Sequence, residues 1–161
     1  MNEFNCKFEL ASEQNYDDYH KIRSEKKNLF WTGYEKPPDY EKFKQWYKNR
    51  INDPKKDLYL VYCDNQCVGS LNVDYYEGYV FIGYSVKEQH EGKGYGTFIV
   101  KNALEIVKQK PECQFVRAWI NEKNIGSIRV VEKNGFYKTD VSEIRQRFGK
   151  NETFLMFEYK I

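Results

Sequence analysis

The sequence lacks a long hydrophobic run. No window reaches the roughly 18 uncharged apolar residues that a membrane-spanning helix needs. The N-terminal residues Met1 to Lys7 also lack the apolar core of a signal peptide. These absences predict a cytoplasmic protein that has no membrane partner.

The sequence also has little excess of positive over negative charge, and it has few cysteines and histidines. The net charge is +2, with 26 basic and 24 acidic residues interspersed along the chain, so composition offers no support for nucleic-acid binding. There are four cysteines and two histidines. Cys63 and Cys67 lie close together, but neither His20 nor His90 completes a zinc-like spacing. The sequence therefore predicts no metal site, and reduced thiols at Cys63 and Cys67.

What remains is a globular composition. Apolar residues make up 40% and charged residues 31% of the 161 residues, which is enough for one hydrophobic core. The absence of internal repeats, linkers and low-complexity tracts predicts a single domain over residues 1–161. The order of strand and helix patterns predicts an α/β fold in three layers, with a mixed sheet of six or seven strands flanked by helices.

Hydrophobic periodicity and turn residues place the individual elements. In the N-terminal half they predict a strand over Phe4–Leu10, a helix capped by Ser12, a loop over Phe30–Pro38, a helix capped by Asp39, and a hairpin turning at Asp64 and Asn65. In the C-terminal half they predict a strand ending at Val86, a helix from Thr97, a strand over Gln114–Ile120, a helix after Asn124, and a hairpin of Val141–Phe148 and Thr153–Tyr159.

One stretch stands out for its glycines, which occupy alternate positions in Glu91-Gly92-Lys93-Gly94-Tyr95-Gly96-Thr97. Glycine lets the backbone approach a ligand closely, and the helix pattern that follows adds free N–H groups and the positive end of a dipole. The stretch therefore predicts a phosphate-binding loop. Its spacing matches neither a P-loop nor the dinucleotide fingerprint. From this stretch alone, a glycine-rich connection that binds nothing remains the alternative.

A second segment lies downstream, over residues 118–136. Asn124 is a favoured N-cap for a short helix, and Gly135 suits the left-handed position that ends one. The glycine loop, followed by Asn124-x-x-Ser127 and then Glu132-Lys133-Asn134-Gly135-Phe136, resembles the GCN5-related N-acetyltransferases (GNAT). Within that family it is most similar to the branch that acetylates ribosomal-protein N-termini and polyamines. The resemblance covers roughly residues 58–160.

The resemblance implies an enzyme that moves an acetyl group from acetyl-CoA to a primary amine by direct transfer in a ternary complex, without a metal. It implies that the glycine loop from Glu91 to Thr97 holds the pyrophosphate of acetyl-CoA. It also implies that Asn124 and Ser127 flank the pantetheine arm.

The strand before the loop has an implied role as well. In the family this strand separates from its neighbour near its middle, so that pantetheine binds the backbone there. The positions in this chain are Tyr84, Ser85 and Val86. Gly83 precedes them, where a β-bulge would accompany the separation.

The chain departs from the family pattern at three positions. Val131 stands where a tyrosine usually protonates the leaving thiolate. Val80 stands where some members carry a glutamate that acts as the base. Glu91 replaces the arginine or glutamine that usually opens the loop, and its carboxylate is predicted to point to solvent.

Other side chains are predicted to supply the acid and the base. Tyr84 is the predicted proton donor, because it lies beside the expected thioester and a phenol can donate a proton. Asp74 and Glu77 follow the preceding hairpin and are predicted to accept a proton through water. A core tyrosine and two solvated turn residues are the structural alternatives, and a mainly positional mechanism also remains open.

The acceptor is predicted to bind against an aromatic segment that contains Trp31, Tyr34 and Tyr40. Aromatic faces suit an apolar side chain, a sugar or an amine. The mixed charges leave a small molecule and a peptide both open as the amine substrate, and a monomer and a homodimer both open as the assembly. A CoA-binding regulatory domain that has lost the chemistry is the competing class, and Val80 and Val131 favour it.

Overall fold

The computed structural model describes residues 4–161. The strands are β1 (Cys6–Leu10), β2 (Lys56–Cys63), β3 (Gln66–Tyr76), β4 (Tyr79–Val86), β5 (Phe115–Asn121), β6 (Tyr137–Arg147) and β7 (Lys150–Lys160). The α-helices are α1 (Tyr16–Ser24), α2 (Lys26–Thr32), α3 (Tyr40–Ile51), α4 (Tyr95–Lys108) and α5 (Ile125–Lys133). Short 3₁₀ turns at Glu13–Asn15 and Glu88–His90 precede α1 and the glycine loop.

The seven strands form one sheet in the order β1-β2-β3-β4-β5-β7-β6. Neighbours are antiparallel except β4 and β5, which are parallel. That parallel pairing is short and covers only the pairs Tyr79↔Phe115, Val80↔Val116 and Phe81↔Arg117. Beyond Phe81 the two strands separate, which confirms the separation predicted for the middle of β4.

Helices pack on both faces of this sheet. The strand β2 shows why, because its side chains alternate between two cores. Val61 and Cys63 join a core with α4, whereas Leu58 and Leu60 join a second core with α1 and α3. The prediction of a three-layer α/β fold around a mixed sheet is confirmed.

Helix α2 corrects the predicted loop over Phe30–Pro38. Phe30, Trp31 and Thr32 form its last turn, and Gly33 ends it with φ of 84°. The N–H of Gly33 donates to the Leu29 carbonyl at 3.0 Å. Gly33 therefore marks the left-handed position after a helix and not the body of a loop.

A disulfide corrects the predicted state of Cys63. Cys63 is bonded to Cys6, the residue directly opposite it in the pairing of β1 with β2. Sequence spacing does not show that β1 lies beside β2, so this pair was not foreseen. Cys67 and Cys113 are buried free thiols.

Two further local predictions need correction. The final hairpin turns at Phe148 and Gly149, both with positive φ, so its strands run longer than predicted. Gly83 carries no bulge, because β3 and β4 pair without a register shift along the whole of β4. The sheet is instead interrupted on the other side of β4, where its pairing with β5 ends at Phe81.

Among residues 4–161, no helix has the length and apolar character needed to cross a membrane. The same part of the chain contains no group of three or more His, Cys, Asp or Glu side chains placed to hold a metal ion.

Candidate active site

A cavity of about 600 Å³ opens where β4 and β5 separate. It is lined by Ile82 to Val86 of β4 and by Ala118 to Asn121 of β5, together with the glycine loop, α2 and the start of α5. In the described sheet, β4 beyond Phe81 has no strand partner on the β5 side. Its backbone groups there are available to an extended ligand.

The glycine loop lies along this cavity in a conformation that fits an anion. Gly92 and Gly94 have φ of 72° and 91°, a left-handed conformation that other residues rarely adopt. Gly94 is the N-cap of α4, whose first N–H groups have no intrahelical acceptor. A Cβ on Gly92 would meet no atom within 4 Å, so the loop is open. Free amides and the helix dipole together fit a phosphate group.

All of the predicted cofactor residues except Lys93 line this cavity, namely Tyr84, Ser85, Val86, Glu91, Gly92, Gly94, Tyr95, Gly96, Thr97, Asn124 and Ser127. Residues from the strand, the loop and the α5 cap are far apart in the chain. The fold therefore brings together the two motifs on which the sequence resemblance depends.

Tyr84 connects β4 to α5 beside the cavity. Its hydroxyl lies 3.1 Å from the Oγ of Ser127, and the Ser127 N–H donates to the Oδ1 of Asn124 at 3.3 Å. The Tyr84 ring also limits Gly96, where an added Cβ would lie 3.3 Å from the ring atom Cε2. Burial raises the pKa of Tyr84, and the Ser127 hydrogen bond offsets part of this. The phenol is therefore protonated at neutral pH.

The two positions that lack the family's usual acid and base carry apolar side chains buried in the core. Val80 and Val131 are fully buried, and Val131 lines the cavity. Among the β4 residues that line the cavity, Tyr84 is the one with an ionisable side chain.

Helix α2 forms a wall that sequence reasoning missed. Asn28, Trp31 and Thr32 line the cavity, and the Nδ2 of Asn28 donates to the Ser85 Oγ at 2.7 Å. Trp31, predicted to bind the acceptor, thus lies at the cavity. Gly33 was the available signal, because a helix that ends there places Asn28 and Trp31 three residues apart on one face.

A buried ion pair fixes α2 to the final hairpin. The Arg147 guanidinium pairs with Glu152 and donates to the Phe30 carbonyl at the end of α2. Glu152 also accepts from Nδ2 of the cavity residue Asn121 at 2.9 Å. The hydrogen bond from Arg147 holds the pKa of Glu152 below its usual range. Sequence reasoning did not identify this network, which joins α2, β5 and the β6–β7 hairpin.

The candidate bases Asp74 and Glu77 do not line the cavity. Asp74 is paired with Phe81 across β3 and β4, and its carboxylate accepts from the Nη2 of Arg50 at 2.5 Å. Glu77 lies in the turn between β3 and β4. This turn leads into the start of β4, whereas the cavity lies along its second half, so these two carboxylates lie outside the cavity.

Three other predicted residues also lie outside the cavity lining. Tyr34 follows α2 and is 58% exposed. Tyr40 lies in the α1–α3 layer, where its hydroxyl donates to the Oδ1 of Asp17 at 2.6 Å. Lys93 is exposed in the glycine loop. Trp31 is thus the one predicted acceptor residue that the fold brings to the cavity.

Comparison with known families decides the assignment. Residues 7–137 match the family model described as the acetyltransferase (GNAT) domain. The chain belongs to the GNAT family. It therefore carries an acetyltransferase domain, and the resemblance seen in the glycine loop and the Asn124 segment is confirmed.

Solved GNAT structures share this fold over nearly the whole chain. The spermidine N-acetyltransferase from Vibrio cholerae, in complex with CoA and spermine, has a TM-score of 0.86 at 12% identity, over 97% of this chain and 95% of that one. The ribosomal-protein-alanine N-acetyltransferase from Brucella melitensis has a TM-score of 0.81 at 20% identity, over 96% of this chain and 99% of that one. At this identity the likeness shows the GNAT fold.

A curated relative matches over a shorter stretch. The probable N-acetyltransferase YjcK of Bacillus subtilis (strain 168) is 34% identical over 62 residues, or 38% of this chain. The matched stretch covers 34% of the length of YjcK. The match agrees with the GNAT assignment and leaves the acceptor open.

Proposed function

We propose that this protein moves an acetyl group from acetyl-CoA to a primary amine of a small molecule or a peptide, by direct transfer while both substrates are bound. The supporting observation is the cavity between β4 and β5, which joins the glycine loop to the wall formed by α2. The proposed setting is the cytoplasm, with neither nucleic acid nor a membrane as partner. The relatives that act on spermidine and on a ribosomal protein support an amine acceptor.

The residues of the cavity fit acetyl-CoA in parts. The amides of the glycine loop and the N-terminus of α4 would hold its pyrophosphate. The unpaired edge of β4 at Tyr84 to Val86 would bind the pantetheine amides, as an added strand binds a sheet edge. Asn124 and Ser127 line the other side of the same cavity. When bound, acetyl-CoA supplies the reactive thioester.

Tyr84 is the proposed proton donor. A neutral amine attacks the acetyl carbon, so that a C–N bond forms and the C–S bond breaks. The departing sulfur takes the Tyr84 proton, the amide nitrogen gives its extra proton to water, and water restores the phenol. The location of the hydroxyl beside Ser127 and its raised pKa support this role.

A CoA-binding regulatory domain is the second candidate. The buried Val80 and Val131 favour it, because neither can exchange a proton. Both candidates use the same cofactor site, so binding alone does not distinguish them. Turnover does.

The test measures binding and turnover on the same purified protein. Acetyl-CoA should raise the melting temperature, because a ligand that binds the native state stabilises it by mass action. Gly94→Asp should abolish the shift, since it puts a side chain and a negative charge at a position with φ of 91°. Release of CoA should be detected with at least one member of a panel of peptide N-termini, polyamines and amino sugars.

Each outcome of this test has a distinct meaning. Binding without turnover across the panel would support the regulatory domain. A melting-temperature shift that survives in Gly94→Asp would overturn the assignment of the cofactor to the glycine loop.

A further inference from the structure

The glycine loop opens with a charge that opposes phosphate binding. Glu91 lines the cavity, and its side chain is only 33% exposed. A carboxylate near a pyrophosphate weakens its binding, because the two negative charges repel each other. A cation close to both groups offsets this repulsion. The sequence predicted that the Glu91 carboxylate points to solvent. The structure corrects this, because the side chain is partly buried at the cavity.

The neutralising cation comes from α2. The Nζ of Lys27 lies 2.7 Å from the Oε2 of Glu91, and Lys27 also lines the cavity. The two residues are 64 positions apart in the chain. Lys93, which lies inside the loop, is not part of the cavity lining.

The position of Lys27 is held by more than this ion pair. Its backbone N–H donates to the Oε1 of Glu88 at 2.9 Å, and the Glu88 N–H donates to the Oε1 of Glu25 at 3.1 Å. These reciprocal bonds fasten the start of α2 to the 3₁₀ turn that leads into the glycine loop. The backbone of Lys27 therefore stays beside the loop wherever its ammonium group points.

We propose that Lys27 is a phosphate-binding residue, which pairs with Glu91 in the free protein and contacts the CoA pyrophosphate when the cofactor is bound. The inference rests on the proposed cofactor site in the glycine loop. The Lys27 side chain is 54% exposed, and exposed ion pairs of this kind contribute little stability. Its flexible stem can therefore turn the ammonium group toward a more highly charged phosphate.

Titration calorimetry with CoA tests the role of Lys27 in the full chain. Lys27→Met should raise the Kd for CoA about tenfold, because the loop keeps a carboxylate and loses its cation. Lys27→Arg should restore most of the affinity. Glu91→Gln should lower the Kd, since it removes the opposing charge. Lys26→Met, which removes the exposed neighbour in α2, is the matched control and should leave the Kd unchanged.

Salt dependence separates a charge effect from a displaced helix. If Lys27 contacts phosphate, the Kd for CoA in Lys27→Met should respond less to added salt than the wild-type Kd does. Equal Kd values in Lys27→Met and Lys26→Met would overturn the inference. A weaker Kd with an unchanged salt response would overturn it too, because that result means that α2 has moved. Failure of the wild-type chain to bind CoA would instead overturn the proposed function.

Discussion

Tyr84 lies where the sheet opens, and its environment limits the chemistry that it can perform. A raised pKa keeps the phenol protonated, which suits a proton donor and excludes a general base at neutral pH. A core tyrosine, the structural alternative, would account for the burial of the ring. It would also account for a hydroxyl that is hydrogen-bonded to Ser127, so turnover is the measurement that distinguishes the two roles.

Tyr84→Phe removes the hydroxyl and keeps the ring. We expect kcat to fall about 10²-fold with acetyl-CoA affinity nearly unchanged, because the lost interaction acts chiefly in the transition state. Steady-state kinetics with an active amine from the panel would measure this. The wild-type rate should also decline at the alkaline pH where Tyr84 ionises, beyond the ordinary range of a tyrosine because burial raises its pKa, and the Phe variant should lack that decline. Normal turnover in the variant would show that Tyr84 is a packing residue. Water or the substrate would then have to supply the proton.

At the scale of elements, two helices have N-caps of the same kind, but only one of these caps lies at the cavity. Comparing the two can therefore distinguish a capping role from a role in binding. Asn124 caps α5 by accepting the Ser127 N–H at 3.3 Å, and it lines the cavity. Asp39 caps α3 by accepting the Lys42 N–H at 2.9 Å, outside the cavity lining.

Asn124→Ala should cost about 1 kcal/mol of stability, a typical loss for an N-cap, and should also weaken CoA binding. Asp39→Ala should cost a similar amount and leave CoA binding unchanged. Denaturant unfolding and titration calorimetry would measure the two effects. If CoA binds both variants as tightly as the wild type, Asn124 has only the capping role.

Glu152 links the stability of the β6–β7 hairpin to pH. Its pKa is below the usual range in the folded state because of Arg147. Such a group stabilises the fold above its unfolded pKa of about 4.3, and this stabilisation is lost as pH falls through the lower folded value. We expect the free energy of unfolding to decline below about pH 5 and Glu152→Gln to flatten the decline.

Denaturant unfolding over a series of acidic pH values would measure this dependence. Glu143→Gln changes an exposed carboxylate on β6 and is the control that should keep the wild-type slope. An identical slope in Glu152→Gln would show that the acid sensitivity arises elsewhere.

At the scale of the whole molecule, the Cys6–Cys63 disulfide joins the edge strand β1 to β2 across a separation of 57 residues. Loss of a disulfide that closes such a loop typically costs about 2–4 kcal/mol. A reductant should therefore lower the melting temperature of the wild type and leave that of Cys6→Ser unchanged. Cys67→Ser should respond like the wild type, because Cys67 is a free thiol. A wild-type melting temperature that ignores the reductant would contradict the prediction.

Local signals made much of the fold and part of the site predictable from the sequence. Alternate glycines before a helix pattern predicted the open loop that begins α4, Asn124 predicted the start of α5, and the periodicity of α4 predicted its buried face. Each of these depends on residues within a few turns of one another, where spacing and conformational preference act directly. The sequence by itself therefore determined the layers and the end of the cavity formed by the glycine loop and the α5 cap.

Tertiary structure decided which distant residues meet. It paired Lys27 with Glu91, and it placed Asp74 away from the cavity despite its short distance in sequence from β4. It also showed that the residues just before Gly33, predicted as part of a loop, end a helix that lines the cavity. Such contacts depend on strand order, on register and on which end of a strand opens, and neither spacing nor composition specifies these. For that reason the wall formed by α2 and the Lys27 ammonium group beside the glycine loop became visible only in the folded chain.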